Sequence, residues 1–194
     1  VEQPERYHEN NVGGTRVLIE ALRESRARDF VFSSSATVYG APAGVPIAES
    51  APTAPQSPYG ENKLEIEEML AALAAGDPSW RIANLRYFNP VGAHQSGTIG
   101  EDPAGIPNNL MPFICQVAAG RLESLNVFGD DYPTPDGTGV RDYLHVQDLS
   151  LGHVAALRHL ARNAGVVTLN LGLGRGRSVL DVVTAFETAC GRRI

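Results

Sequence analysis

The first half of the chain alternates helical and strand-like segments, and that order is its strongest constraint on fold. From Tyr7 to Ser25 the apolar residues Val12, Val17, Leu18, Ala21 and Leu22 recur at helical spacing. The β-type run Phe30-Val-Phe follows and ends in Ser33-Ser-Ser. A second helical segment begins at Pro58-Tyr-Gly-Glu-Asn-Lys63 and leads to the strand-like run Arg81-Ile-Ala-Asn-Leu-Arg-Tyr-Phe88. Helix, strand, helix, strand predicts an α/β fold with a parallel sheet covered by helices. Such sheets bind ligands beyond the carboxyl ends of their strands, where Ser33 to Ser35 and Asn89 fall.

Prolines 42, 46, 52 and 55 and small residues mark 40–57 as a surface loop, with Ser57 as N-cap and Pro58 at the first position of the next helix. Residues 89–109 are rich in Gly, Pro and polar side chains, which predicts a functional loop or a domain crossing. A helix is expected from Leu110 to Ala119 and a short strand from Leu125 to Phe128. After the loop Gly129–Gly139, Asp148 is the expected N-cap of a helix reaching Arg162. Val166–Leu171 reads as a strand, and Ser178 with Asp181 as a capping box opening the last helix. The expected domains are 1–88 and 89–194, with about 140–171 returning to the first sheet.

With 194 residues and 43% hydrophobic content the chain can bury a sizeable core. The net charge of −6 and the dispersed Arg residues show neither a nucleic-acid face nor a polybasic membrane patch. No apolar run is long enough for a membrane span and no signal peptide opens the chain. Cys115 and Cys190 sit in apolar helical stretches without paired spacing, so buried thiols in a reducing, cytoplasmic compartment are expected. His8, His94, His145, His153 and His159 show no metal-ligand spacing, and structural or surface roles are expected for them. The chain opens without Met and enters a helix at once, as an interior fragment would.

Lys63 is the only lysine, all other cations being Arg, and it stands one helical turn after Tyr59. The two side chains therefore share a helix face. A phenol is a weak base at neutral pH, and lowering its pKa by about 3 units takes roughly 4 kcal/mol of preferential phenolate stabilisation. A nearby ammonium supplies part of that. Tyr59 could then take a proton from a substrate hydroxyl while hydride leaves the same carbon. Ser35 is either the donor that positions the substrate oxygen or a hydroxyl that terminates its strand.

Ser33-Ser-Ser-Ala-Thr-Val-Tyr-Gly40 followed by Ser57-Pro-Tyr-Gly-Glu-Asn-Lys63 resembles the active-site signature of the extended short-chain dehydrogenase/reductases. Arg86-Tyr-Phe-Asn-Pro-Val-Gly-Ala93, Gly100–Pro112, Gly137–Val146, Asn170-Leu-Gly and Ser178–Val183 resemble that family's UDP-hexose 4-epimerases, along the whole chain. The resemblance implies a Rossmann-like parallel sheet lacking its first βαβ units, plus part of a smaller mixed α/β substrate-binding domain. It implies tightly bound NAD, and UDP-glucose and UDP-galactose interconverted through a transient 4-keto sugar. Tyr59 would be the base, Lys63 would contact the nicotinamide ribose, and Ser35 would bond the sugar hydroxyl. Asn10 and Phe88 match cofactor contacts. Asn89, Asn109 and Arg141 match residues holding the UDP portion, with Phe128 near the uracil. Taken alone, Arg141 reads better as a surface ion-pair residue. A homodimer through helices resembling Asn11 to Arg23 and Leu64 to Leu73 is also implied.

The dinucleotide fingerprint is absent, so the portion that grips adenosine and pyrophosphate is expected outside this chain, which alone should be inactive. Gly172-Leu-Gly-Arg-Gly-Arg superficially imitates it but lacks the third glycine spacing and the acidic partner. Glu61 stands where the family often has a cation, and is expected to point away from the pair. The alternatives are another nucleotide-sugar epimerase or dehydratase of the same family and a non-catalytic NAD-binding relative. Ser34, where a dehydratase usually carries an acidic group, and the intact Ser35, Tyr59 and Lys63 argue against the last two.

Overall fold

A computed structural model describes residues 3–103 and 105–194; Val1 and Glu2, on which the opening was read, and Ala104 of the Gly100–Pro112 motif lie outside the described residues. Two compact units are present, one formed by the residues up to Phe88 with Leu149–Leu171, the other by Asn89–Asp148 with Gly172–Ile194. The return to the first unit thus begins at Leu149, and 140–148 belong to the second.

In the first unit, β1 (Asp29–Ser35), β2 (Arg81–Tyr87) and β6 (Gly165–Leu171) form a parallel sheet in the order β1-β2-β6. Its register aligns Ser35 with Tyr87 and Tyr87 with Leu171, so the strands end together. β2 is central and its inner five residues are buried, as a strand covered on both faces requires. Phe32 and Ile82 pack with Val12 and Ile19 of the first helical segment, with Ile66, Leu70 and Leu73 of α3 (Pro58–Gly76), and with Trp80, which immediately precedes β2. On the opposite face Ala83 and Leu85 pack with Ala156 and Leu160 of α5 (Val146–Leu160). Each large side chain buried this way contributes about 1.5–3 kcal/mol.

The first helical segment is not continuous. It consists of α1 (Pro4–His8), a π-helical turn (Glu9–Gly13) and α2 (Gly14–Glu24). Such π-bulges concentrate at functional sites, and this one holds Asn10. α3 begins as its sequence dictates, with the Ser57 hydroxyl accepting from Gly60 N at 3.2 Å and Pro58 at the first turn.

The second unit holds the parallel pair β3 (Asn89–Val91) and β5 (Tyr143–His145), and the antiparallel pair β4 (Val140–Arg141) and β7 (Arg177–Ser178). Its helices are α4 (Leu110–Ala118) and α6 (Val179–Cys190), the latter opened by the Ser178–Asp181 capping box. Asp136 gathers the loop before β4, accepting from Thr138 N at 2.9 Å, from the Thr138 hydroxyl at 2.8 Å and from the Ser178 hydroxyl.

Three expectations are corrected. Residues 125–128 form no strand, because no strand among the described residues pairs with their backbone, and Phe128 stands 87% exposed. α5 starts at Val146, so Asp148 lies inside its first turn rather than at the cap. Cys115 and Cys190 are exposed, since each falls on the outward side of its amphipathic helix.

Candidate active site

β1 ends in three serines, and the turn that follows decides what Ser35 can do. Its hydroxyl oxygen accepts from Thr37 N at 3.2 Å and from the Thr37 hydroxyl at 2.9 Å, capping the 3-10 turn Ala36–Tyr39. A hydroxyl has two acceptor sites and one proton. With both sites filled, Ser35 can only donate. Of the two alternatives left open by the sequence, the strand-end cap is present, and it leaves the hydroxyl proton for donation.

Tyr59 and Lys63 stand on the first two turns of α3. The Lys63 ammonium lies 5.5 Å from the Tyr59 ring centroid and 4.9 Å from that of Phe32, and donates to the Ser33 carbonyl at 2.8 Å. Half-burial pushes the Lys63 pKa down. Burial pushes the Tyr59 phenol up; the hydrogen bond from Ser35 pulls it down; the neighbouring Tyr7 adds to the rise, and the net shift is upward. Tyr7 meets Tyr59 edge-on, centroids 6.3 Å apart. The protein's own groups thus keep Tyr59 a neutral phenol. Glu61 is exposed, away from the pair.

Sequence reasoning overlooked several residues of this centre. Gly60 packs against the backbone of the 3-10 turn, which lets the start of α3 approach Ser35. The Tyr87 hydroxyl lies between the Ser33 hydroxyl, at 2.8 Å, and His153 Nε2, while His153 Nδ1 donates to the Leu149 carbonyl at 2.9 Å. Burial raises the Tyr87 pKa, Ser33 lowers it, and the charge of Tyr59 raises it further, so the two phenols sense each other. Only the four-residue spacing to Lys63 could have pointed to Glu67, and period-two alternation along β2 to Arg86.

The remaining sequence-selected residues divide between the units. Asn10 is exposed on the π turn, and Phe88 follows β2, its N–H donating to the Leu171 carbonyl at 3.1 Å. These lie in the unit of Ser35, Tyr59 and Lys63. Asn89, Asn109, Phe128 and Arg141 belong to the second unit. Asn89 opens β3 and its N–H donates to the Asp142 carbonyl at 2.9 Å. Asn109 precedes α4 without capping it, and its amide donates to Glu101 at 3.4 Å. Arg141 is exposed on β4 and donates to the adjacent Val140 carbonyl at 2.8 Å. The Gly172–Arg177 turn spends its amides on a side chain: Leu173 N and Gly174 N donate to the Asp142 carboxylate at 2.9 and 2.7 Å.

A serine donor, a half-buried phenol and an ammonium one turn apart at the end of a parallel sheet suit proton transfer at a carbinol. The profile of the NAD dependent epimerase/dehydratase family matches residues 1–172. The chain belongs to that family. It is 59% identical over 193 residues to a UDP-glucose 4-epimerase of Yersinia pestis, covering 99% of this chain and 57% of the relative. It is 55% identical over 196 residues to a bifunctional UDP-glucose 4-epimerase and UDP-xylose 4-epimerase of Pisum sativum, covering 100% and 56%. Among solved structures, the UDP-glucose 4-epimerase of Bifidobacterium longum in complex with NAD+ and UDP superposes with a TM-score of 0.95 at 52% identity, covering 100% of this chain and 58% of that one. The chain thus spans little more than half the length of these relatives. The fold is that of the family: a Rossmann-like α/β segment.

Proposed function

We propose that the intact protein carrying this chain is an isomerase that interconverts UDP-glucose and UDP-galactose at C4 with bound NAD. The observation that carries the reading is the Ser35–Tyr59–Lys63 arrangement, in which Ser35 is left with only a proton to offer. The similar structures with NAD and UDP support it.

The residues present fit that cofactor. Of the three N–H donors on the Lys63 ammonium one goes to the Ser33 carbonyl, leaving others for ribose hydroxyls. Asn10 and Phe88 complete the set on this unit. NAD, when bound, supplies a reversible hydride store whose oxidised ring carries positive charge. Ser35 donates to the sugar O4 and orients it toward Tyr59. Tyr59 takes the O4 proton as the carbinol becomes a ketone, and returns it when the 4-keto sugar is reduced on its other face. Net redox is zero. Because burial keeps the free phenol neutral, proton abstraction begins only once a neighbouring positive charge favours phenolate. Asn89, Asn109, Phe128 and Arg141 are assigned to the UDP portion; the planar guanidinium of Arg141 can donate in pairs to a diphosphate.

Wild-type protein and Tyr59→Phe, each assayed with UDP-galactose and with bound NAD quantified, test the reading. It requires turnover that collapses in the variant while NAD is retained; absence of turnover despite bound NAD would redirect the search to other nucleotide sugars. The pea relative's UDP-xylose activity favours that pentose as a second substrate, so it belongs in the same assay.

A place in galactose metabolism follows from this activity. Two exposed thiols suit a reducing compartment, and the protein is assigned to the cytoplasm. Among the described residues no helix is long and apolar enough to cross a membrane. Val17 and Leu18, 67% and 47% exposed on α2, support homodimerisation through that helix.

A further inference from the structure

Tyr59, Lys63 and Glu67 follow one another at four-residue intervals on α3, so they form a stripe with about 6 Å between successive residues along the axis. Each meets a different serine of the β1 terminus. Tyr59 is hydrogen-bonded to Ser35, Lys63 donates to the Ser33 carbonyl at 2.8 Å, and Glu67 accepts from the Ser34 hydroxyl. The third contact is the most enclosed, with Ser34 1%, Glu67 5% and Arg86 6% exposed. Arg86, on β2, grips the same carboxylate with both arms, Nε to Oε1 at 3.0 Å and Nη2 to Oε2 at 2.6 Å. Arg86 Nη1 also donates to the Tyr39 hydroxyl at 2.8 Å, which donates to Asn170 Oδ1 on β6 at 2.7 Å.

We propose that Glu67 is the positioning residue of the reacting set: by holding Ser34 and Arg86 at once it fixes the register of α3 along β1 and β2, and with it the separation of Tyr59 from Ser35. Apolar packing resists separation but slides easily. Ile66, Leu70 and Leu73 around Glu67 hold α3 against the sheet without fixing its axial position. A buried ion pair adds little net stability over an apolar substitute of equal size. What it adds is direction, because a bidentate guanidinium–carboxylate pair has one geometry. Ser34 and Ser35 share a peptide bond, so anchoring Ser34 to the helix anchors the donor. Misplacing a reacting group by 1 Å can cost about a hundredfold in rate.

This inference rests on the reading of Tyr59, Lys63 and Ser35 as the reacting groups, and the test separates the two. Ser34→Ala removes one hydrogen bond and leaves the ion pair intact, whereas Tyr39→Phe disturbs the same network on the side away from Glu67. Each is made in the full-length protein, and kcat, KM for UDP-galactose and Tm are measured. The Tyr59 titration is followed by ultraviolet difference against Tyr59→Phe, with no sugar present. Ser34→Ala is expected to lower kcat about tenfold at unchanged KM and to move the Tyr59 titration upward, because the Ser35 bond is loosened. Tyr39→Phe should lose a comparable amount of Tm while keeping kcat within about twofold. Equal effects of both variants on kcat, tracking Tm, would overturn the proposal; so would a Ser34→Ala protein with wild-type kcat and titration. If the wild type does not turn over UDP-galactose, the substrate reading has failed and the Tyr59 titration alone decides: an upward shift supports the positioning role and an unchanged one overturns it.

Discussion

Gly60 lies so close to Thr37 that a Cβ at position 60 would stand 2.9 Å from the Thr37 carbonyl oxygen and 3.0 Å from Pro55 Cβ. The obstacle is backbone, so Gly60→Ala must displace the start of α3 from the Ser35 turn. Alanine also raises helix propensity by about 1 kcal/mol. The expected variant folds with near wild-type Tm but loses roughly tenfold or more in kcat, as paired thermal melts and epimerase assays will show.

Lys63 combines its proposed role with a cost to stability. Its pKa is lowered by burial, so between the folded value and the ordinary lysine value the unfolded chain binds more protons, and stability rises with pH across that window. Below it the buried charge is a standing penalty. Lys63→Met is therefore expected to abolish turnover while raising stability at neutral pH by roughly 0.5–1 kcal/mol. Urea titration at pH 7 measures this directly.

For Tyr59 the sign is opposite. Burial raises its pKa, so the cofactor-free protein keeps the phenol protonated above the ordinary tyrosine value, and the stability it contributes is lost as pH rises through that folded value. Adding NAD should move the Tyr59 titration downward, whereas adding UDP alone should not. Ultraviolet difference titration with and without NAD checks both statements.

Two Arg–carboxylate pairs that differ in burial should behave very differently. Arg81–Asp29 has side chains 39% and 37% exposed, whereas Arg86–Glu67 has 8% and 6%. Arg81→Met is expected to cost under about 1 kcal/mol. Arg86→Met leaves Glu67 buried without its partner and should cost about 3–5 kcal/mol. Denaturant unfolding of the two variants gives the comparison.

The exposed cysteines give a simpler measurement. Both should react with a thiol reagent without unfolding, Cys115 more slowly at pH 8. Although the residue is exposed, neighbouring protein atoms partly desolvate its sulfur; that first, and the charge of Glu101 second, raise the Cys115 thiol and reduce its thiolate fraction. Equal rates would contradict that ordering.

Much of this protein was legible in its residue order. The β-type runs Phe30–Ser35, Arg81–Tyr87 and Val166–Leu171 identify strands, and local hydrogen-bonding groups at Ser57 and Ser178 start their helices where expected. The Tyr59–Lys63 pair needed only the pitch of a helix. These features depend on neighbours within a few residues, whose geometry the backbone itself sets. The sheet order β1-β2-β6, the neutral state of the Tyr59 phenol, the commitment of Ser35 to donation and the grip of Glu67 on Ser34 and Arg86 depend on groups distant in sequence. Burial and hydrogen-bond partnership there are settled only when the helix lies on the sheet, because they are properties of the packed surface and not of the segment that carries the residue.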